Sequence, residues 1–498
     1  MKLNLNKSIL IFGIFAFICL ASSLFVLNTN GTFSENCLSN NPSKLSKEKA
    51  NIQCSYYQNG KIKWTQEYFG GLKNGYKRYY SSNGTLLTIS GFINNQQNGP
   101  VRIYYENGQL KATGYVVNNK RNGLVRYYYK SGEIKTETDY SDGRKNGISR
   151  NYYKNGLLQD IDNYINGLEE GDSKSYYENG VLAADRHYSH GEFDGVIKTY
   201  TEDGILKSEE EYSDGQPNGI NKRYYDNGQL MLSNTNINGK LEGVSKLYYE
   251  DGSLASLTTL IHGNAEGLSK NFYSDGSISR ETMYKHNKRN GVTKSYSRQG
   301  LVKSIEPYKD DKLDGLKITY YNNGSVGSTT NYTAGEMDGP YTVFNVNGGI
   351  SYTYNFIMGK KMGAAEEYYE DGSLKSRTSY KNGKEDGIKE NYYKNGIIKS
   401  IMHYKDDYTD GRIKEFYENA KIKLECTSMP GNLMSCNKYS IDGILKYQTN
   451  YKNMVRNGVE KSFYNNGHIK KEVIYLMGKI VSQKEYNIDG TQRTTTKE

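Results

Sequence analysis

The chain has 498 residues, 65 Lys and Arg against 55 Asp and Glu, a formal net charge of +10 and a mean hydropathy of −0.81. Aliphatic residues are too scarce for a series of conventional cores, but 49 tyrosines supply buriable area and argue against disorder. Only six prolines leave the backbone free to form a long ladder of hydrogen bonds.

In chain order, Lys2 and Lys7 precede an uncharged apolar run from Ile9 to Leu27. At about 1.5 Å per residue, an apolar helix here approaches the thickness of a bilayer core. Ala21-Ser22-Ser23 offers a small-residue cleavage signal, and Leu24 to Leu27 prolong the run past it. A signal peptide and a retained signal anchor over residues 1–27 both remain open. Ile18 before Cys19 argues against a lipoprotein signal. Either reading takes the rest of the chain out of the cytoplasm, membrane-anchored through residues 9–27 or secreted or periplasmic, in agreement with the positive-inside rule. Residues 28–53 form a polar linker.

From 54 to 492 the chain repeats every 24 residues. A glycine recurs at that spacing from Gly60 through Gly84 and Gly108 to Gly396, and a second series runs from Gly75 to Gly411. Two phased glycines per repeat predict two reversals, and therefore one β-hairpin per repeat. Counting the first glycine as position 0, position −1 is Asn or Asp in seventeen of nineteen copies, which predicts a primed turn with positive φ at both central residues. Position −4 is always aromatic, as at Tyr56, Tyr80, Tyr104 and Tyr128, and position +2 is Ile, Leu or Val in all but the last copy. Position +8 is usually a ring, as at Tyr140 and Tyr188. Counting by twos, positions −8, −4, +2 and +8 should share one ring-rich face. About eighteen to nineteen hairpins give an all-β, elongated single array, roughly 170 Å of ladder at ~4.8 Å per strand. Single repeats depend on their neighbours for stability.

The pattern falters over 420–443, where Ala420 replaces the turn glycine and Met429-Pro430-Gly431 interrupts. It ends in a polar tail, 493–498. Cys37, Cys54, Cys426 and Cys436 lie outside the apolar run and allow three pairings; in a rod only Cys37 with Cys54 and Cys426 with Cys436 are within reach. Oxidised staples suit an extracytoplasmic location, and unpaired thiols are the alternative.

Chemistry is sparse. The histidines at 187, 190, 262, 286, 403 and 468 are scattered. No metal, phosphate-loop or nucleophile-elbow motif is present, so no catalytic residue, metal site or cofactor is expected. One column stands out. Position −6 is basic in ten consecutive repeats: Arg78, Arg102, Arg126, Arg150, Lys174, Lys198, Lys222, Lys246, Lys270 and Lys294; Ile318, Thr342, Glu366 and Glu390 then occupy the same place. Cations at ~10 Å intervals beside rings could hold an anionic lipid or glycan surface, although nucleic acid is not expected as a partner. Alternatively, the basic stems pack over tyrosine rings.

Tyr152-Tyr153-Lys154-Asn155-Gly156-Leu157-Leu158, with its distal ring and second turn, resembles the MORN repeat. It is similar above all to the bacterial variant in YwqK-family antitoxins of toxin–antitoxin systems. The resemblance implies hairpin repeats in an elongated sheet that bind proteins or membranes, and an antitoxin-like neutralisation of a partner toxin. An export segment and the length of the array depart from a small cytoplasmic antitoxin. Two functions are therefore expected. One is a non-catalytic scaffold at the cell envelope that binds protein partners, a toxin among the candidates. The other is a binder of anionic lipid or glycan through the basic ladder.

Overall fold

The computed structural model describes the backbone of Cys37–Leu38 and residues 51–493. The apolar run 9–27, most of the linker and residues 494–498 lie outside these. Among the described residues there is no helix long and apolar enough to cross a membrane. The chain divides into two compact units, Met1–Glu169 and Glu170–Glu498. Each is an antiparallel sheet of hairpins taken in sequence order, with one short parallel pairing in the first unit, where Cys37 stands beside Ile52.

One repeat shows how the sequence builds the hairpin. Strand Gly195–Tyr200 runs into the turn Thr201 to Gly204, returns as Leu206–Ser213, reverses again at Asp214-Gly215 and continues as Gln216–Tyr224. The two reversals are chemically different, and the primed turn stands at the second and not, as expected from sequence, at the first. At the first, the Gly204 N–H donates to Thr201 O at 2.9 Å, and Thr201 and Ile205 close the loop. Here only the glycine takes positive φ, and the residue at −1 does not. This is a type I turn followed by a left-handed glycine, the three-residue hairpin loop. Asn or Asp at −1 is used for its side chain instead: Asn227 Oδ1 accepts from the Gln229 N–H at 2.9 Å. The two-residue primed turn sits at +10 and +11, where Asp142, His190, Ala334 and Met358 all have φ near +50° ahead of a glycine.

The second glycine series makes a bulge, not a reversal. Glu210 pairs with Asn221 and Tyr212 with Pro217, so Asn218, Gly219 and Ile220 stand opposite the single Glu211. Gly219 has φ +132°, a conformation that side chains resist.

A further bulge at +3 corrects the expected ring-rich face. Thr199 pairs with Ser208 but Tyr200 with Leu206, so Lys207 is an extra residue and the parity of the returning strand changes. Positions −8, −6, −4, +2, +5 and +7 therefore share one face, and +8 joins −7, +4 and +6 on the other. The second face carries the most buried side chains. These are small and often hydroxylic: Ser149, Ser173, Ile197, Ser269, Thr282, Thr293, Thr330 and Thr378. Hydroxyls pair across it, as in Thr258 Oγ1 with Ser269 Oγ at 2.8 Å.

Neighbouring repeats are stitched at both turn edges. Tyrosine at −3 donates its hydroxyl to the carbonyl of the −4 residue one repeat on, as in Tyr177 to Tyr200, Tyr225 to Tyr248 and Tyr273 to Tyr296, at 2.7–2.8 Å. At the other edge the Gly239 N–H donates to Pro217 O at 2.9 Å, and the His262 N–H donates to Glu242 Oε1 at 2.8 Å. Cys426 and Cys436 face each other across the irregular hairpin and are bonded, Cα atoms 4.0 Å apart. Cys54 is buried and disulfide-bonded; the side chain of Cys37 lies outside the described residues.

Candidate functional site

The strand alternation puts positions −8, −6 and −4 in three parallel columns on the more open face. In unit 2, position −8 is Val196, Ile220, Val244, Leu268, Val292 and Leu316 in six consecutive repeats. All six are exposed, between 41% and 49%. Each stands at the strand position just after the bulge glycine, which tilts the strand there and leaves the side chain uncovered. Pro340, Ala364 and the exposed Ile388 continue the column. Glu211, Thr235, Thr259, Met283 and Pro307 of the intervening strands stand between its members, so the face offers a column of exposed aliphatic side chains in a mixed setting, as an interaction surface can.

The basic column at −6 runs beside it in both units, and the structure sets carboxylates from position +5 against part of it. Glu209 lies between two repeats. Lys198 Nζ stands 3.5 Å from Glu209 Oε1 and Lys222 Nζ 3.2 Å from Oε2, and the Tyr224 hydroxyl donates to Oε2 at 2.9 Å. Burial alone would push the Glu209 carboxyl up. The hydrogen bonds of Tyr224 and Lys222 and the charges of Lys222 and Lys198 outweigh it, so the carboxyl is held below its usual value. Burial and the same contact push the Tyr224 hydroxyl up to about 12.

Glu281 repeats the arrangement with Lys270 at 3.4 Å and the Tyr296 hydroxyl at 2.7 Å, with Lys294 directly across the ladder. In unit 1, Glu137 accepts from Arg126 Nε at 2.6 Å and Tyr152 at 3.1 Å, with Arg150 across from it. Arg78, between Thr65 and Ile89, reaches diagonally to Glu67 at 2.6 Å, and Lys174 meets Asp185 at 3.6 Å. Arg102, between Ile89 and Thr113, and Lys246, between Ser233 and Leu257, face uncharged residues on both sides.

Where the column turns acidic the pairing inverts. Arg377 meets Glu366 at 2.9 Å and stands across from Glu390. Carboxylates at +5 thus meet part of the −6 column, in four of its ten basic repeats: Glu137, Asp185, Glu209 and Glu281. Tabulating position +5 beside −6 would have disclosed these pairs in the sequence. Packing of basic stems over rings occurs mainly elsewhere: from +13, as in Lys145 over Tyr164 at 4.2 Å and Arg289 over Tyr308 at 4.0 Å, and from +3, as in Lys135 over Tyr129 at 5.7 Å.

Three histidines, His190, His262 and His286, occupy the second turn, where His262 Nδ1 lies 2.5 Å from Glu242 Oε1. Among the described residues no group of three or more His, Cys, Asp or Glu side chains is placed to hold a metal ion.

The model of the MORN repeat variant matches residues 97–118, 121–142, 169–190, 193–214, 217–233, 241–262, 265–286, 363–382, 385–406 and 456–476. No curated protein sequence matches the chain. Among solved structures, the TcdB2-TccC3-Cdc42 and TcdB2-TccC3 crystal structures align over 89% of this chain at 10% identity, with a TM-score of 0.13. This chain spans 31% and 32% of those chains, and superposition so poor carries no argument about fold or function. The hairpins in these ten stretches therefore match the MORN repeat variant.

Proposed function

We propose that the chain is a non-catalytic scaffold that captures a protein partner on the open face of unit 2. The observation that carries this reading is the exposed aliphatic column from Val196 to Leu316, six residues in six successive repeats. Desolvating that column is an attraction independent of charge, and Lys174, Lys198, Lys222 and Lys270 beside it already stand near carboxylates of the chain. The cations and interspersed carboxylates beside the column would then help select a partner by its own charge pattern. The apolar run 9–27 would hold the scaffold at the cell envelope, and a toxin neutralised by contact is one such partner. Aspartate at Ile220, Val244 and Leu268 should abolish binding of a partner purified from the native envelope while leaving the unfolding midpoint near native. Undiminished affinity in that triple variant would reject the reading.

A second reading, binding of an anionic lipid or glycan surface, is favoured by Arg102 and Lys246, whose ladder neighbours on both sides are uncharged. It predicts flotation with vesicles containing anionic lipid that is lost in Arg102→Glu and Lys246→Glu. Flotation unaltered by these changes rules it out.

A further inference from the structure

On the other face of unit 2, the repeat around Gly348 breaks the pattern. Positions −7, +4 and +6 are Tyr341, Tyr352 and Tyr354, where the next repeat has Ala365, Ser376 and Thr378. No other repeat places rings at all three. The three tyrosines are half-buried and stand 5.5–6.3 Å apart between centroids, Tyr341 and Tyr354 nearly parallel at 16°. Tyr380 of the following repeat extends the platform, 6.3 Å from Tyr354. Beside them opens a recess of about 400 Å³, lined by Tyr352, Tyr354, Tyr380, Glu367, Lys389 and Asn391.

The rim already balances its own charge. Lys375 Nζ donates to Glu367 at 2.6 Å, and Lys389 Nζ donates to Glu385 at 2.9 Å. Lys361 Nζ, 3.9 Å from the Tyr354 centroid and 5.1 Å from that of Tyr380, already supplies a cation to these rings and repels a second, while it does not line the recess that Tyr354 borders. A polyanion finds no excess positive charge. What remains is a platform of rings with hydroxyls, bordered by neutralised donors and acceptors.

We infer that this recess binds a neutral glycan, its pyranose C–H faces stacked on Tyr352 and Tyr354 and its hydroxyls hydrogen-bonded to Glu367, Lys389 and Asn391. Rings supply oriented apolar area, and a few convergent polar groups fix the sugar's register. The site lies on the face opposite the aliphatic column, so glycan and protein binding stand or fall separately.

The test uses the full chain and three probes: the β-1,4-linked hexasaccharides of glucose, N-acetylglucosamine and xylose. Calorimetry should detect at least one of them with a Kd of about 1 mM or tighter. Saturation-transfer NMR on the native chain should label the ring C–H protons of that sugar. Tyr354→Ala should weaken it at least tenfold, and Tyr352→Phe, which keeps the ring, should stay within about threefold. Should Tyr354→Ala lose its native circular dichroism, Tyr352→Ala is read in its place. Failure of all three probes to bind near ~1 mM overturns the inference, as does native affinity in the folded alanine variant.

Discussion

Changing Tyr225 to Phe removes one hydroxyl while keeping the ring, and the structure says what that hydroxyl does. It donates to the Tyr248 carbonyl one repeat away, at 2.7 Å and half-buried. A hydrogen bond of this kind contributes about 1 kcal/mol net. Tyr273 makes the same bond to Tyr296 at 2.8 Å, whereas Tyr249, which donates to Phe272, is 38% exposed, so water can replace more of its bond. Tyr249→Phe should therefore cost about 0.5 kcal/mol, and the other two about 1 kcal/mol each. Successive rungs are two strands apart, roughly 10 Å, far enough for near-additivity, so the triple variant should lose about 2.5 kcal/mol. Urea unfolding followed by far-ultraviolet circular dichroism reads this as a lowered midpoint at unchanged slope. A triple variant with the native midpoint would refute the idea that these hydroxyls couple one hairpin to the next.

The same geometry sets other outcomes. Glu137, Glu209 and Glu281 are held below the ordinary carboxyl value of 4.5, so the stability they add is present above that pH and is lost as pH falls through the lower folded values. Acid titration of Glu209→Gln should show a shallower loss below pH 4.5 than the native chain. Tyr224 and Tyr296 are raised to about 12, so the stability tied to their neutral form is intact below pH 10.0 and fades towards 12, which ultraviolet tyrosinate titration can follow. Gly243→Ala, at φ +76° in open space, should cost about 1–2 kcal/mol from backbone strain alone. Gly219→Ala should cost more, because its added Cβ meets the Glu211 side chain, which holds the Ile220 N–H at 3.1 Å; urea midpoints rank the two. Reducing Cys426–Cys436, separated by 10 residues, should remove about 2–3 kcal/mol, detectable as faster hydrogen exchange in the strands on either side.

Much of the fold could be read from the 24-residue period, because glycine accepts the positive φ these positions need at least cost. What the period did not disclose was which glycine does what. Gly204 closes a turn and Gly219 sits in a bulge, both at positive φ, and a sequence shows only that both are glycine. Counting faces by twos failed at Lys207, since an inserted residue reverses parity without leaving a compositional mark. The Tyr-Tyr doublet was visible, but only the structure shows that its second ring reaches the next repeat. The basic column at −6 was legible as a pattern and incomplete as chemistry: the carboxylates that meet it lie eleven residues later at +5, in a strand whose register depends on that same bulge. The aliphatic column at −8 was counted with the ring-rich face. It lies exposed because none of the described residues of the unit packs over that side of the sheet.

The docking face is tested most directly by a photo-reactive phenylalanine placed singly at Ile220, Val244 or Leu268 and, as a comparison, at the exposed second-turn residue Met358. In the native envelope, the first three positions should cross-link one and the same protein and Met358 should not. Equal cross-linking at Met358, or no protein adduct at the three column positions, would contradict the account.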